Sequence, residues 1–219
     1  MIKNLALRLD HELEITASRE YYSAFFFKCR FIGNYLLRKI KENKIHSTDY
    51  NRLFIEAGVN NDKPSYVFDH SLVVSIPFDI AAYDNLSKEE LPDYFIQLYK
   101  EGIIKASQSH EIPLAFLLTK LIEFKDNDYL NEWEFKSKSF KEIGIKAVLN
   151  CKMTIDFFSL TLVLKKKDEI VFSKEILSTL PDEIIYHWQF KEIALEGNEI
   201  KVLDQFKKPI CLLDLTFKA

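Results

Sequence analysis

The residues that could do chemistry are scattered along this chain. His11, His46, His70, His110 and His187 stand apart, and none belongs to an H-x-x-x-H, H-E-x-x-H or Cys/His grouping of the kind that holds zinc. The spacing predicts surface or singly hydrogen-bonded imidazoles, with any metal site left to tertiary assembly. Asp69-His70-Ser71 has the residue types of a hydrolase triad. Adjacent residues on a strand point to opposite faces, however, and cannot hydrogen-bond in series. Asp126-Asn127-Asp128 is similar to the opening of a calcium loop, yet the sixth and twelfth places hold Asn131 and Ser137 where glycine and glutamate are needed. An acidic exit from a helix is expected there instead. Cys29 has only Lys28 and Arg30 to favour a thiolate and lies among aromatics, so it reads as a small core residue.

Glycine narrows the chemistry further. Gly33, Gly58, Gly102, Gly144 and Gly197 are the only five, and they are widely dispersed. A phosphate- or oxyanion-binding loop needs clustered glycines so that backbone N–H groups can approach the anion without a Cβ in the way. The P-loop, dinucleotide, kinase and G-x-S-x-G motifs are therefore all excluded, and no cofactor is expected.

Two features remain as candidate binding surfaces. Asp79, Asp84, Glu89, Glu90 and Asp93 lie within fifteen residues that contain one base, Lys88, and Asp126, Asp128, Glu132 and Glu134 form a second acidic group. Such runs are either solvated faces or docking surfaces for a cationic partner. The second feature is Ile184 to Lys191, where strand periodicity places Tyr186, Trp188 and Phe190 on one face, opposite His187, Gln189 and Lys191. That stripe reads as core.

The elements that must position these residues follow from periodicity. Leu5, Leu7 and Leu9 alternate with polar or small residues as in a strand. After Thr16, taken as a cap, Tyr21, Phe25, Cys29, Ile32, Leu36 and Ile40 form the stripe of a long helix. Ser47 or Thr48 is expected to cap a short helix through Tyr50, Leu53 and Phe54 that ends at Gly58. Leu72, Val74 and Ile76 predict a strand closed by Pro77. Helices are expected from Pro92 through Tyr99, and from about Pro113 to Lys125 along Leu114, Leu117, Leu118 and Leu121. From about residue 145 the period becomes two, which predicts an antiparallel meander. The expected architecture is α+β, with a mainly helical N-terminal region (1–144, with one or two strands) packed on a C-terminal antiparallel β-sheet (145–219) in a shared core.

The 219 residues, with 18 Phe and 10 Tyr, can bury a large core. A net charge of −3 argues against a dedicated nucleic-acid binder. Three dispersed cysteines within apolar runs predict reduced thiols and a cytoplasmic location, with neither a signal peptide nor a membrane span expected.

Three short strings, Asn131-Glu132-Trp133, Thr179-Leu180-Pro181-Asp182-Glu183 and Lys208-Pro209-Ile210, give residues 125–217 a resemblance to bacterial immunity proteins encoded beside polymorphic or contact-dependent toxins. That group has many unrelated folds and no shared catalytic residues. The resemblance therefore implies a class, a cytosolic non-catalytic inhibitor of a toxin domain, and transfers no site residue. The expected partner is a protein whose basic active site meets the acidic surface. The alternatives are an enzyme or small-ligand binder with a pocket between helices and sheet, and an adaptor subunit marked by an exposed apolar patch.

Overall fold

The computed structural model describes residues 2–59, 63–182 and 189–215. Its contacts separate two compact units, Met1–Leu130 and Asn131–Ala219. Residues 131–144, grouped by the sequence with the helical region, thus lie in the second unit.

The first unit runs β1 (Asn4–Leu9), α1 (His11–Thr16), α2 (Arg19–Glu42), β2 (Arg52–Gly58), β3 (Tyr66–Phe68), β4 (Ser71–Pro77), α3 (Ile80–Asp84), α4 (Leu91–Ser107) and α5 (Leu114–Asp126). The strands form one mixed sheet in the order β1-β2-β4-β3, with β1, β2 and β4 parallel and β3 antiparallel to β4. Register builds three apolar rows across the parallel strands: Leu5–Leu53–Leu72, Leu7–Ile55–Val74 and Leu9–Ala57–Ile76. All nine side chains are buried. α2 packs on β1, and α4 packs on β2 and β4. Each large side chain so enclosed stabilises the fold by about 1.5–3 kcal/mol.

Helix α2 starts where the Ser18 hydroxyl accepts the Tyr21 N–H at 3.2 Å, two residues beyond the expected cap at Thr16, and it buries Phe25, Cys29, Ile32, Leu36 and Ile40 as the stripe requires. The residues just before it form the separate helix α1, capped by Asp10. β1 is an edge strand, and side chains take the place of its missing neighbour. The Tyr99 hydroxyl accepts the Leu7 N–H at 3.2 Å and donates to the Cys29 carbonyl at 3.5 Å, while the Cys29 thiol donates to the Leu7 carbonyl at 3.2 Å. This close approach of helix to strand depends on Gly33. A Cβ there would lie 2.6 Å from the Tyr99 hydroxyl and 2.7 Å from the Leu5 carbonyl oxygen.

The second unit contains β5 (Glu132–Phe140), β6 (Ile145–Met153), β7 (Phe158–Lys166), β8 (Glu169–Thr179), β9 (Glu192–Glu196), β10 (Glu199–Leu203) and β11 (Pro209–Asp214). These make two antiparallel sheets, β5-β6-β7-β8 and β9-β10-β11. In the larger one, β6 and β7 are central and bury Ala147, Leu149, Cys151, Leu160, Leu162 and Leu164, whereas the edge strands β5 and β8 are largely exposed. Two register shifts interrupt the pairing of β8 with β7. Lys167 and Asp168 turn the chain between those strands with positive φ of 49° and 68°.

These sheets correct the expected architecture. The protein is α+β, but a mainly helical N-terminal region over a single C-terminal sheet is not what forms. Five helices stand among the described residues, all in the first unit, and they cover that unit's own four-stranded sheet. The second unit divides its strands between two sheets. The central error is residues 48–58, where a helix was expected. β2 occupies that stretch because its buried Leu53, Ile55 and Ala57 have period two and fit between β1 and β4. Phe158, Leu160 and Leu162 are buried on β7, and Leu213 and Leu215 are buried at the C-terminal end of the described residues. Leu213, however, belongs to the smaller sheet.

Candidate functional site

In the first unit the chain ends of the parallel strands gather several elements. Pro77 closes β4, Phe78 donates its N–H to the Gly58 carbonyl at 2.9 Å, and α3 follows at once. Six rings pack here, five from α2, α3 and α4 and the sixth from Phe78 in the connection after β4. Phe25 meets Phe78, Tyr83 and Phe95 edge-on at 5.3–5.5 Å, Tyr21 meets Tyr83 at 6.1 Å, and Tyr83 meets Tyr94 at 5.9 Å. Edge-to-face aromatic pairs add about 0.5–1.5 kcal/mol each beyond burial, so this end of the unit is rigid. It is also the end at which open sheets with parallel strands generally receive ligands.

Of the acids selected from the sequence, Asp79 and Asp84 flank the helix that carries Tyr83, and Asp93 lies on the helix that carries Tyr94 and Phe95. Asp79 caps α3, accepting the Ala82 N–H at 2.9 Å. Asp84 accepts the Tyr21 hydroxyl at 2.9 Å, which ties α3 to the first turn of α2. Glu90 accepts the Ser87 N–H at 2.8 Å, one half of a capping box. This bond holds the Glu90 carboxyl below its ordinary value. Glu89 is exposed beside it. Asp93, in the first turn of α4, accepts the Lys125 ammonium at 2.8 Å and the Tyr129 hydroxyl, and both donors hold its carboxyl low, the lysine foremost. Lys125 and Tyr129 belong to the exit of α5, which also carries the exposed Asp126 and Asp128. Two acidic groups 33 or more residues apart in sequence thus meet through Asp93. Asp79, Asp84 and Glu90 each accept an uncharged donor.

Glu132 and Glu134 are not part of the first unit. They lie on β5, where Glu132 pairs with Lys152 at 3.0 Å and Glu134 pairs with Lys146 at 3.2 Å and accepts the Ser137 hydroxyl at 2.5 Å. Glu132 and Lys152 are direct cross-strand partners in the β5–β6 register. The sequence missed Glu12, Glu14 and Glu20, exposed on α1 and the first turn of α2 at the same end of the first unit. They escaped notice because they are spread singly among apolar residues.

Between the α1–α2 joint and α3 lies an open groove of about 280 Å³, lined by Leu13, Thr16, Ala17, Ser18, Tyr21 and Ile80. Burial and the Asp84 carboxylate both push the Tyr21 phenol upward, so it stays a hydroxyl donor at neutral pH.

The other sequence candidates have structural roles. Asp69, His70 and Ser71 form the turn from β3 into β4, with Asp69 paired to Arg52 at 2.8 Å. Asp126 ends α5, and Asn127 caps it by donating its side-chain N–H to the Glu123 carbonyl at 2.7 Å. Cys29, Cys151 and Cys211 are buried and form no disulfide, and burial pushes the Cys29 thiol far up, opposite to what a nucleophile needs. Among the described residues no group of His, Cys, Asp and Glu could hold a metal ion. No helix there is long and apolar enough to cross a membrane. Of the stripe at 184–191, Tyr186, His187 and Trp188 lie outside the described residues, and Phe190 is buried.

The strings that resemble immunity proteins all fall in the second unit. Asn131 is buried and its carbonyl accepts the Met153 N–H at 2.9 Å, Trp133 packs 6.1 Å from Phe158, and Lys208-Pro209-Ile210 enters β11. No family model matches the chain, and neither a curated protein nor a solved structure matches it.

Proposed function

We propose that this chain is a non-catalytic cytosolic binding protein of the immunity type, which masks a cationic toxin domain with the acidic rim of its first unit. The observation that carries the reading is the placement of Asp79, Asp84, Glu89 and Glu90 on the segment that carries Tyr83 into α4, joined through Asp93 and Lys125 to the α5 exit that bears Asp126 and Asp128. A preformed anionic surface accelerates encounter with a basic cleft and disfavours other partners. Three buried thiols that form no disulfide suit a reducing compartment.

The test uses the toxin domain recovered by co-purification from the native host. Asp84, Glu89, Glu90, Asp126 and Asp128 are replaced by Asn or Gln. Asp93 is left intact because it holds α4 to α5. The association rate of this variant should fall below that of wild type at low salt, and the difference should shrink at high salt as screening shortens the reach of the charges. Equal rates at both ionic strengths would refute the acidic interface.

A further inference from the structure

We propose that the groove between the α1–α2 joint and α3 receives an arginine side chain from the partner, with its hydrocarbon stem on the groove wall and its guanidinium at Asp84. This rests on the reading of the acidic rim as a protein-binding surface. At about 280 Å³ the groove falls just below the ~300–1,000 Å³ typical of cofactor and small-molecule pockets, and it suits one long side chain.

The polar atoms of its lining are already engaged. Thr16 Oγ1 donates to the Glu12 carbonyl at 2.8 Å, Ser18 Oγ accepts the Tyr21 N–H at 3.2 Å, and the Tyr21 hydroxyl donates to Asp84 Oδ1 at 2.9 Å. What the groove offers an occupant is therefore the hydrocarbon of Leu13, Ala17 and Ile80 and the ring of Tyr21. Around it the exposed charge is mostly negative: Glu12, Glu14, Glu20, Asp79 and Asp84 against Arg19 and His11. An aliphatic side chain would leave those carboxylates unused, and a small cation would leave the apolar wall wet. A hydrocarbon stem ending in a cation satisfies both. Arginine adds a planar fork that can bridge the Asp84 oxygen left free by Tyr21 and can stack on the Tyr21 ring.

The experiment needs no toxin. N-acetyl-arginine-amide is titrated into the full chain while the methyl NMR signals of Leu13, Ala17 and Ile80 are followed, with the citrulline, lysine and leucine amides as comparisons. Arginine amide should shift those methyls saturably. The uncharged citrulline amide, or the isosteric variant Asp84→Asn, should weaken binding about tenfold, the loss of one charge-assisted contact. Asp84→Asn keeps an acceptor for the Tyr21 hydroxyl, so its fold is preserved. No saturable shift, equal shifts with citrulline, or a stronger response to leucine amide would each overturn the proposal. Any of these would leave the rim's salt-dependent effect on association standing. Equal association rates for the rim variant would remove that reading whatever the groove binds.

Discussion

Replacing Gly33 with alanine pits intrinsic helix preference against packing, and the two differ in sign. In an exposed helix the change would stabilise by about 1 kcal/mol. Here the added Cβ would meet the Tyr99 hydroxyl at 2.6 Å and the Leu5 carbonyl oxygen at 2.7 Å. Tyr99 and Leu5 are buried, and the second contact is with backbone, so α2 must back away from β1. Overpacking of this kind costs about 1–3 kcal/mol. Retreat of the helix also stretches the 3.5 Å bond from the Tyr99 hydroxyl to the Cys29 carbonyl on α2, whose loss would leave a buried donor unpaired at about 1–3 kcal/mol. Gly33→Ala should therefore destabilise the first unit by about 1–5 kcal/mol net of the helix gain. Urea unfolding followed by far-ultraviolet circular dichroism reads this directly, since all described helices lie in the first unit. Tyr99→Phe removes the hydroxyl, so Gly33→Ala in that background should cost less, with a coupling of about 0.5–3 kcal/mol. A stabilised Gly33→Ala protein, or strictly additive effects, would refute the close approach.

Leu162, fully buried on central strand β7, should cost about 2–5 kcal/mol when cut to alanine; an unfolding midpoint within experimental error of wild type would show that the strand is not central. Native Cys29 should resist thiol reagents and label completely only on unfolding, because it is buried with its thiol shifted toward the protonated form. Asp93 has its carboxyl depressed by Lys125 and Tyr129, so its contribution is complete above the unfolded value of about 3.9 and is lost as pH falls through the folded one. Asp93→Asn should accordingly lower stability at neutral pH by less than about 1 kcal/mol, the pair being half-exposed, and the deficit should vanish in strong acid.

The parts of the fold that were legible in the sequence are those whose signal is local. Helices α2, α4 and α5 announce themselves by an apolar stripe or by proline at the start, and β4 and β7 by β-rich apolar runs. β2 was not legible. Leu53-Phe54-Ile55 breaks clean alternation, Ser47 and Thr48 look like caps, and Gly58 looks like a helix stop, so only pairing on both edges decides for a strand. β5 is a polar edge strand with little apolar signal of its own. The division of the C-terminal strands into two sheets depends on which hairpins adjoin, and period cannot carry that. At the site, the acids were visible as a charge run. The pairing of Asp93 with Lys125, 32 residues away, was not, because no local pattern encodes how α4 meets α5. The glycines were read for what their dispersal excludes, and the use of Gly33 for helix–strand contact emerges only in three dimensions.

Connectivity sets the two units on different folding clocks. Every hydrogen-bonded strand pair in the second unit joins neighbours along the chain, so each can close as a hairpin across a short loop. In the first unit only the short β3–β4 pair closes that way, and the parallel core of its sheet cannot: Leu7 must find Ile55 at a sequence separation of 48, with all of α2 between them. Loop closure must precede any reward from that contact, and folding rates fall as such separations dominate. In refolding, amides of β6 and β7 should gain protection from hydrogen exchange before those of β1 and β2, the reverse of the order in which the ribosome delivers them.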